Sequence, residues 1–203
     1  MHISILIPAF NHAKYITDLL ISLRADEEII GEIIIIDDAS SDNTFDVVKN
    51  YCKDNEKITI LRNAKNVGIS NNLNKLISLA KCDYIALIAS DDLSIPGSLK
   101  KKLKFLENAD NCNIVFTDCE VINDDDEIFC KSGLTELYDM NLLAMKSGRD
   151  ELHRELILNW GVPGSTLMIR RQFFDNFRFK TWSHLDDLDL FMHAVNQHCI
   201  CYY

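Results

Sequence analysis

Short apolar runs and stretches of helical spacing alternate along the chain. Ile3 to Ile7 is an apolar run closed by Pro8, and Tyr15 to Leu23 follows with apolar residues on one helical face. The unit then recurs. Ile33 to Ile36 stops at Asp37-Asp38 and leads to a predicted helix over Thr44 to Cys52, with Ser41, Asp42 and Asn43 as cap candidates. Ile58 to Leu61 and Tyr84 to Ala89 read as further strands, and Ile69 to Ala80 and Ser98 to Leu106 as further helices.

The strand runs are continuously apolar, which means burial on both faces. The expected architecture is therefore α/β, a mostly parallel sheet with helices on either side. Such sheets bind ligands beyond the carboxyl ends of their strands. Later segments are less regular. Asn113 to Thr117 and Ser165 to Ile169 read as strands, Glu136 to Asn159 and Leu185 to Gln197 as helical, and the acidic stretch Asn123 to Glu127 as a solvated hairpin tip. Cys199 to Tyr203 reads as the first half of a strand, so a continuation past Tyr203 is expected.

With 203 residues, 47 % hydrophobic and 26 % charged, the composition is globular and large enough for a substantial core. A net charge of −10 argues against a sequence-independent hold on nucleic acid, which depends on neutralising phosphates. An anionic ligand would need some attraction other than bulk charge. The seven cysteines are an odd number without a CxxC pair and read as free thiols in a reducing compartment. No apolar run approaches the ~18 residues of a membrane span, and MHISILIPAF has no basic leader or cleavage site, so a cytoplasmic protein is expected.

Acidic clusters stand at three predicted element ends: Asp37-Asp38, Asp91-Asp92, and Asp186-Asp187 with Asp189. Two carboxylates about 4 Å apart repel by roughly 4 kcal/mol at an effective dielectric of 20, so neighbouring acids at a strand end ask for a cation. Oxygen ligands suit Mg²⁺ or Mn²⁺, and a divalent ion suits a diphosphate. Any single pair could equally be a cap or a solvated turn. The loop Gly161 to Ser165, Arg170-Arg171, Trp160, Trp182, His184 and His193 each admit a ligand role beside a structural one.

Taken in order, Ser4 to Asn11 (SILIPAFN), Ile36 to Asp42 (IDDASSD), Asn66-Val67-Gly68 with Asn72, Ser90-Asp91-Asp92, and Leu185 to Leu190 (LDDLDL) resemble the successive signatures of family 2 glycosyltransferases with the GT-A fold. The resemblance spans the whole chain. It implies one GT-A domain over residues 1–203, with 1–118 binding a nucleotide sugar and 119–203 facing the acceptor. Pro8, Ala9, Phe10 and Asn11 would lie along the nucleotide, with Phe10 stacked on the base. Asp38 would accept a base N–H, and Asn66 and Gly68 would sit beside the nucleotide.

Ser90-Asp91-Asp92 corresponds to the DxD motif, with Ser in place of the first acid. Asp92 would ligate Mn²⁺ or Mg²⁺, and Asp91 would contact the ribose or the cation's water shell. Asp187 corresponds to the general base, preceded by Asp186 where the family usually has Glu. The resemblance further implies direct displacement with inversion and a saccharide or lipid-linked acceptor. It also implies work on surface polysaccharide or glycolipid, which suits a protein at the inner face of the membrane. UDP is the expected nucleotide, with dTDP and GDP still open.

Rival readings fit less well. A receiver domain carries its acidic pair after the first strand, where this chain has Pro-Ala-Phe-Asn. A dinucleotide-binding fold would need GxGxxG there. A nucleotide-sugar-binding module without turnover shares the fold, and Asp187 beside both metal acids argues against it.

Overall fold

The computed structural model describes residues 2–53, 55–159, 161–182 and 186–203, without the side chain of Asp186. Trp160 and His184 lie outside the described residues. The first part of the chain runs β1 (Ile3–Ala9), α1 (Ile16–Ser22), β2 (Ile30–Asp37), α2 (Thr44–Tyr51), β3 (Ile58–Arg62), α3 (Ile69–Leu79), β4 (Tyr84–Leu87) and α4 (Ser98–Asn108). It continues through β5 (Ile114–Phe116), β6 (Val121–Ile122), β7 (Ile128–Cys130), α5 (Gly133–Glu136), α6 (Leu142–Ser147), α7 (Arg149–Asn159), β8 (Met168–Arg170), α8 (Asp186–Asn196) and β9 (Ile200–Tyr202).

Among the described residues the main sheet has the order β3-β2-β1-β4-β8-β5-β9, and β6 and β7 form a separate hairpin. Neighbours pair in parallel except at β8, which is antiparallel to both β4 and β5. The sheet is thus mostly parallel, as the strand composition implies. Strands taken from beyond residue 118 complete it: β8 enters between β4 and β5, and β9 adds to the edge of β5.

The continuously apolar strands have a direct explanation. Ile3, Ile5, Ile7, Ile33 and Ile35 face one core, shared with Leu19 of α1, Val48 of α2 and Leu103 of α4. Leu6, Ile34, Ile36 and Ile85 face the other, shared with Leu73, Leu76 and Ile77 of α3, Leu156 of α7 and Phe191 of α8. Successive strand residues point to opposite faces, so both must be apolar when helices cover both. Each fully buried Ile or Leu contributes about 1.5–3 kcal/mol relative to exposure.

One expectation is corrected, and several open readings are decided. Ser165 is not in a strand: Gly164–Thr166 is a 3-10 turn closed by Thr166 N–H on the Pro163 carbonyl at 3.0 Å, and β8 begins only at Met168. The segment Glu136 to Asn159 is helical but divided: Gly148 separates α6 from α7 with an extended backbone, φ 160°. Arg170-Arg171 does not serve a phosphate at the ligand edge. Arg170 pairs with Tyr84 at the opposite end of β4 and donates to the carbonyls of Cys112 (3.0 Å) and Leu106 (2.5 Å), while Arg171 donates to that of Cys82 (3.1 Å). His193 packs against Phe173 and Phe177, at 5.4 and 5.3 Å between ring centroids, and is a core-facing ring. Trp182 is exposed, with Lys180 over its ring at 5.4 Å.

The acidic stretch does form a hairpin tip, with Asn123 accepting the N–H groups of Asp125 and Glu127 at 3.0 Å each. It is more than a solvated tip. Asp124 accepts from Tyr15 Oη and Lys14 Nζ, both at 3.1 Å, tying the hairpin to the chain after β1.

Candidate active site

The strand order reverses between β1 and β4: β2 and β3 lie to one side of β1, and β4 to the other. Crevices open at such switch points beyond the carboxyl ends of the strands. The segments that follow β1, β2 and β4 begin with Phe10, Asp38 and Ile88, so three of the motifs singled out in the sequence meet here. Hydrogen bonds continue the pairing past the strands, from Asp38 N to the Ala9 carbonyl at 2.8 Å and from Ile88 N to that of Leu6 at 3.1 Å.

Pro8 and Ala9 end β1, and Phe10 is 44 % exposed at its tip. An apolar ring of this size left in water at a strand end is available for stacking. Asn11 turns the chain with a positive φ of 57°. Its side chain accepts from Ser41 N at 2.8 Å, and its own N–H donates to Ser40 Oγ at 2.9 Å. Asn11 therefore staples the loop after β1 to the loop after β2. Ala13 N donates to Asp42 Oδ2 at 3.0 Å, and Asp42 Oδ1 accepts Thr44 N at 2.9 Å at the start of α2. Burial works to raise the Asp42 pKa, but the bonds from Thr44 and Ala13 outweigh it and hold the carboxyl below its usual value.

The two acids after β2 do different work. Asp37 is fully buried and pairs with Arg62 Nε at 3.1 Å. Asp38 is also buried. It accepts Asn63 Nδ2 at 2.8 Å, Val67 N at 2.9 Å and Gly68 N at 2.9 Å, and so shapes the loop that enters α3. Gly68 has φ 85°, a left-handed conformation that an L side chain rarely adopts, and Asn66 Oδ1 accepts its N–H at 3.1 Å.

After β4, Ser90 is buried and its hydroxyl lies 2.7 Å from His12 Nδ1; the same ring nitrogen is 3.5 Å from Asp91 Oδ1. His12 N–H donates to Thr44 Oγ1 at 2.9 Å, so this histidine spans from α2 to the acids after β4. Asp92 accepts the Ser165 hydroxyl, and Ser165 Oγ accepts Ala89 N at 2.9 Å. Desolvation, reinforced by the neighbouring charge of Asp91, pushes the Asp92 carboxyl above its usual value, against the opposing effects of Ser165 and His12. A crowded carboxylate beside a second one is the arrangement a divalent cation relieves.

Asp187, in the first turn of α8, comes to the same loop as Ser165: a Cβ placed on Gly164 would lie 3.6 Å from its Oδ1. The neighbouring Asp189 is paired with Lys180 Nζ at 2.9 Å. Among the described residues no group of three or more His, Cys, Asp and Glu side chains forms a closed metal cage. Any cation here would rest on two carboxylates and take its other ligands from elsewhere. All seven cysteines are free thiols.

His12 was not expected at the site, and for Ser165, in a loop that admitted a ligand role, the bond to Asp92 was not. His12 has a visible signal, standing directly after the PAFN segment. The role of Ser165 depends on a contact between positions 73 residues apart and has no local signature.

Residues 4–178 match the family model described as Glycosyl transferase family 2. The chain belongs to that family. Among its relatives are TuaG of Bacillus subtilis, named for teichuronic acid biosynthesis, and the chondroitin synthase of Pasteurella multocida. Both are 32 % identical, TuaG over 57 % of this chain and the synthase over 61 %. The chain spans 45 % of the length of TuaG and 13 % of that of the synthase.

Among solved structures, Staphylococcus aureus TarS in complex with UDP superposes with a TM-score of 0.72 at 20 % identity, covering all of this chain and 58 % of that one. A Pyrobaculum calidifontis mannosyltransferase in complex with GDP-Man and Mn²⁺ superposes with 0.70 at 14 % identity, covering all of this chain and 54 % of that one. The family 2 chain has the GT-A fold of these neighbours. Among its described residues no helix is long and apolar enough to cross a membrane.

Proposed function

We propose that this chain carries the catalytic machinery of a metal-dependent, inverting glycosyltransferase. It moves a hexosyl group from a UDP-sugar to a hydroxyl of a saccharide or lipid-linked acceptor, in the synthesis of a surface polysaccharide or glycolipid. The observation that carries the reading is the joining of acids from distant segments on one loop, with Ser165 on Asp92 and Gly164 against Asp187. Residues 1–118 act as the donor part and 119–203 as the acceptor part of one domain, working in the cytoplasm at the inner face of the membrane.

Phe10 stacks on the base while Pro8, Ala9 and Asn11 line it. Asp38 has spare lone pairs beyond its three bonds and accepts the uracil N–H. Asn66 and Gly68 bound the same pocket. The donor set of Asp91 and Asp92 fits Mn²⁺ or Mg²⁺: both offer hard oxygens, and desolvation, with the Asp91 charge adding to it, disfavours the ionised Asp92 carboxylate, a cost that a cation offsets. Bound there, such a cation neutralises charge developing on the departing diphosphate. Asp187 holds the acceptor hydroxyl and takes its proton as that oxygen attacks from the side opposite the leaving group, which inverts the anomeric carbon.

The UDP and UDP-GlcNAc complexes of TarS and the GDP-Man and Mn²⁺ complex of the mannosyltransferase support a nucleotide-sugar donor and a cation. The chondroitin and hyaluronan synthases of Pasteurella multocida support a polysaccharide product. The test is a melting-temperature panel of UDP-, dTDP- and GDP-sugars with and without Mn²⁺. A ligand that binds only the native state raises its apparent stability. UDP-sugars with Mn²⁺ should give the largest shift; no shift with any donor would overturn the reading.

A further inference from the structure

The 3-10 turn before β8 is fixed on several sides. Ser165 Oγ accepts the Ala89 N–H at 2.9 Å and donates to Asp92 Oδ2. The direction of the second bond follows from inventory: an ionised carboxylate carries no proton and the Ala89 N–H is itself a donor, so the single hydroxyl proton goes to Asp92. On one side of Ser165, Gly164 lies against Asp187. On the other, the Thr166 carbonyl accepts the buried Lys102 Nζ at 3.1 Å, and Thr166 Oγ1 donates to the Pro163 carbonyl at 2.7 Å. The turn is thereby anchored to the end of β4 and to α4; it bonds the acid assigned to the cation and lies beside the acid assigned to the acceptor proton.

We infer that Ser165 is a positioning residue for Asp92, holding Oδ2 and leaving Oδ1 available to a cation, and that its turn sets the separation between Asp92 and Asp187. This rests on the metal-dependent transferase reading above. Without the hydroxyl, the Asp92 carboxylate rotates about its own axis and must be ordered when a cation binds. Loss of such an outer partner of a metal ligand typically costs about 10–100-fold in metal affinity or activity. Purely structural damage to the turn would instead weaken nucleotide binding whether or not metal is present.

The two cases separate in one experiment. UDP affinity is measured by calorimetry with and without Mn²⁺ for the wild-type chain, Ser165→Ala and Ser165→Thr, at a temperature where melting curves show each to be folded. The wild type should bind UDP more tightly with Mn²⁺. Ser165→Ala should lose about 10–100-fold of that Mn²⁺-dependent gain while keeping its metal-free UDP affinity, and Ser165→Thr, which retains the hydroxyl, should recover it. A full Mn²⁺ gain in Ser165→Ala, or equal weakening with and without Mn²⁺, overturns the positioning role and leaves the transferase reading standing. A wild-type chain with no Mn²⁺-dependent gain overturns the metal-dependent reading and this inference together.

Discussion

The carboxylate of Asp38, at the end of β2, accepts the backbone N–H of Gly68, 30 residues on, at 2.9 Å. Val67 N and Asn63 Nδ2 bind its other oxygen, so one buried side chain sets the shape of the loop entering α3. Hydrogen bonds to a charged acceptor are worth about 1.5–3 kcal/mol each, less where water can replace the lost partner. Val67 is exposed and Gly68 partly so, which allows some replacement. Asp38→Ala should therefore lose about 2–3 kcal/mol in urea unfolding. It should also weaken UDP binding, because the loop holding Asn66 and Gly68 loses its shape. Asp38→Asn should lose most of the same stability, since its amide offers one acceptor oxygen to three donors. Full stability in both variants would show that the loop holds itself.

The sheet was legible because its signals are local. Apolar strand runs, helical spacing in α3, and acids at the ends of β2 and β4 each report on a few neighbouring residues. What escaped reading depends on distant partners. The strand β8 shows in outline as the apolar stretch Ser165 to Ile169, but its start at Met168 and its antiparallel place between β4 and β5 have no local signal. Ser165 lies in a Pro-Gly-Ser turn that looks ordinary until Asp92 and Ala89 arrive beside it. Asp38 reads as a ligand residue from its motif, and only coordinates reveal its second task of holding a loop. His12 was legible in principle, since it follows Asn11 in the loop after β1.

Phe10 is 44 % exposed, so removing its ring sacrifices little packing. Stacking of a base on an aromatic side chain is worth about 1–3 kcal/mol by alanine substitution. Phe10→Ala should leave the melting temperature unchanged and weaken UDP roughly 5–100-fold, with Phe10→Tyr close to wild type. Equal affinity for UDP in Phe10→Ala would remove this residue from the nucleotide site.

Asp92→Asn removes an exposed but partly desolvated charge that Asp91 repels. The metal-free protein should melt at the same temperature or slightly higher, while the Mn²⁺-dependent rise with UDP should vanish. Melting curves with and without Mn²⁺ and with chelator check both halves. A retained Mn²⁺ shift in this variant would place the cation on other ligands.

Asp187→Asn separates a transferase from a module that only holds its nucleotide sugar. An amide cannot take the acceptor's proton, so turnover read as UDP release should fall about 10²–10⁴-fold with UDP affinity retained. Near wild-type turnover would move the base to another group. Asp189 is the less suitable substitute, because Lys180 already holds it at 2.9 Å.

Lys102 supplies the pH dependence. It is buried in α4, and desolvation drives its pKa down from 10.5 to about 8 against the opposing charge of Asp26. A folded pKa below the unfolded one means that the ammonium weighs against the fold. Below about pH 8 both states carry the charge and the cost is complete; between about 8 and 10.5 the folded form sheds its proton and the cost fades; above that range it is gone. Lys102 therefore makes stability rise with pH across this window, by up to roughly 3 kcal/mol. Lys102→Met removes that rise but leaves the Thr166 carbonyl without its donor, a loss of about 1–3 kcal/mol. The variant should compare most favourably with the wild type at neutral pH and lose ground as pH climbs past 8, seen in urea unfolding between about pH 7 and pH 10. The difference between the two curves cancels the other lysines and the tyrosines that titrate there. A difference that stays flat over that range would mean that Lys102 keeps its proton in the fold as firmly as it does in water.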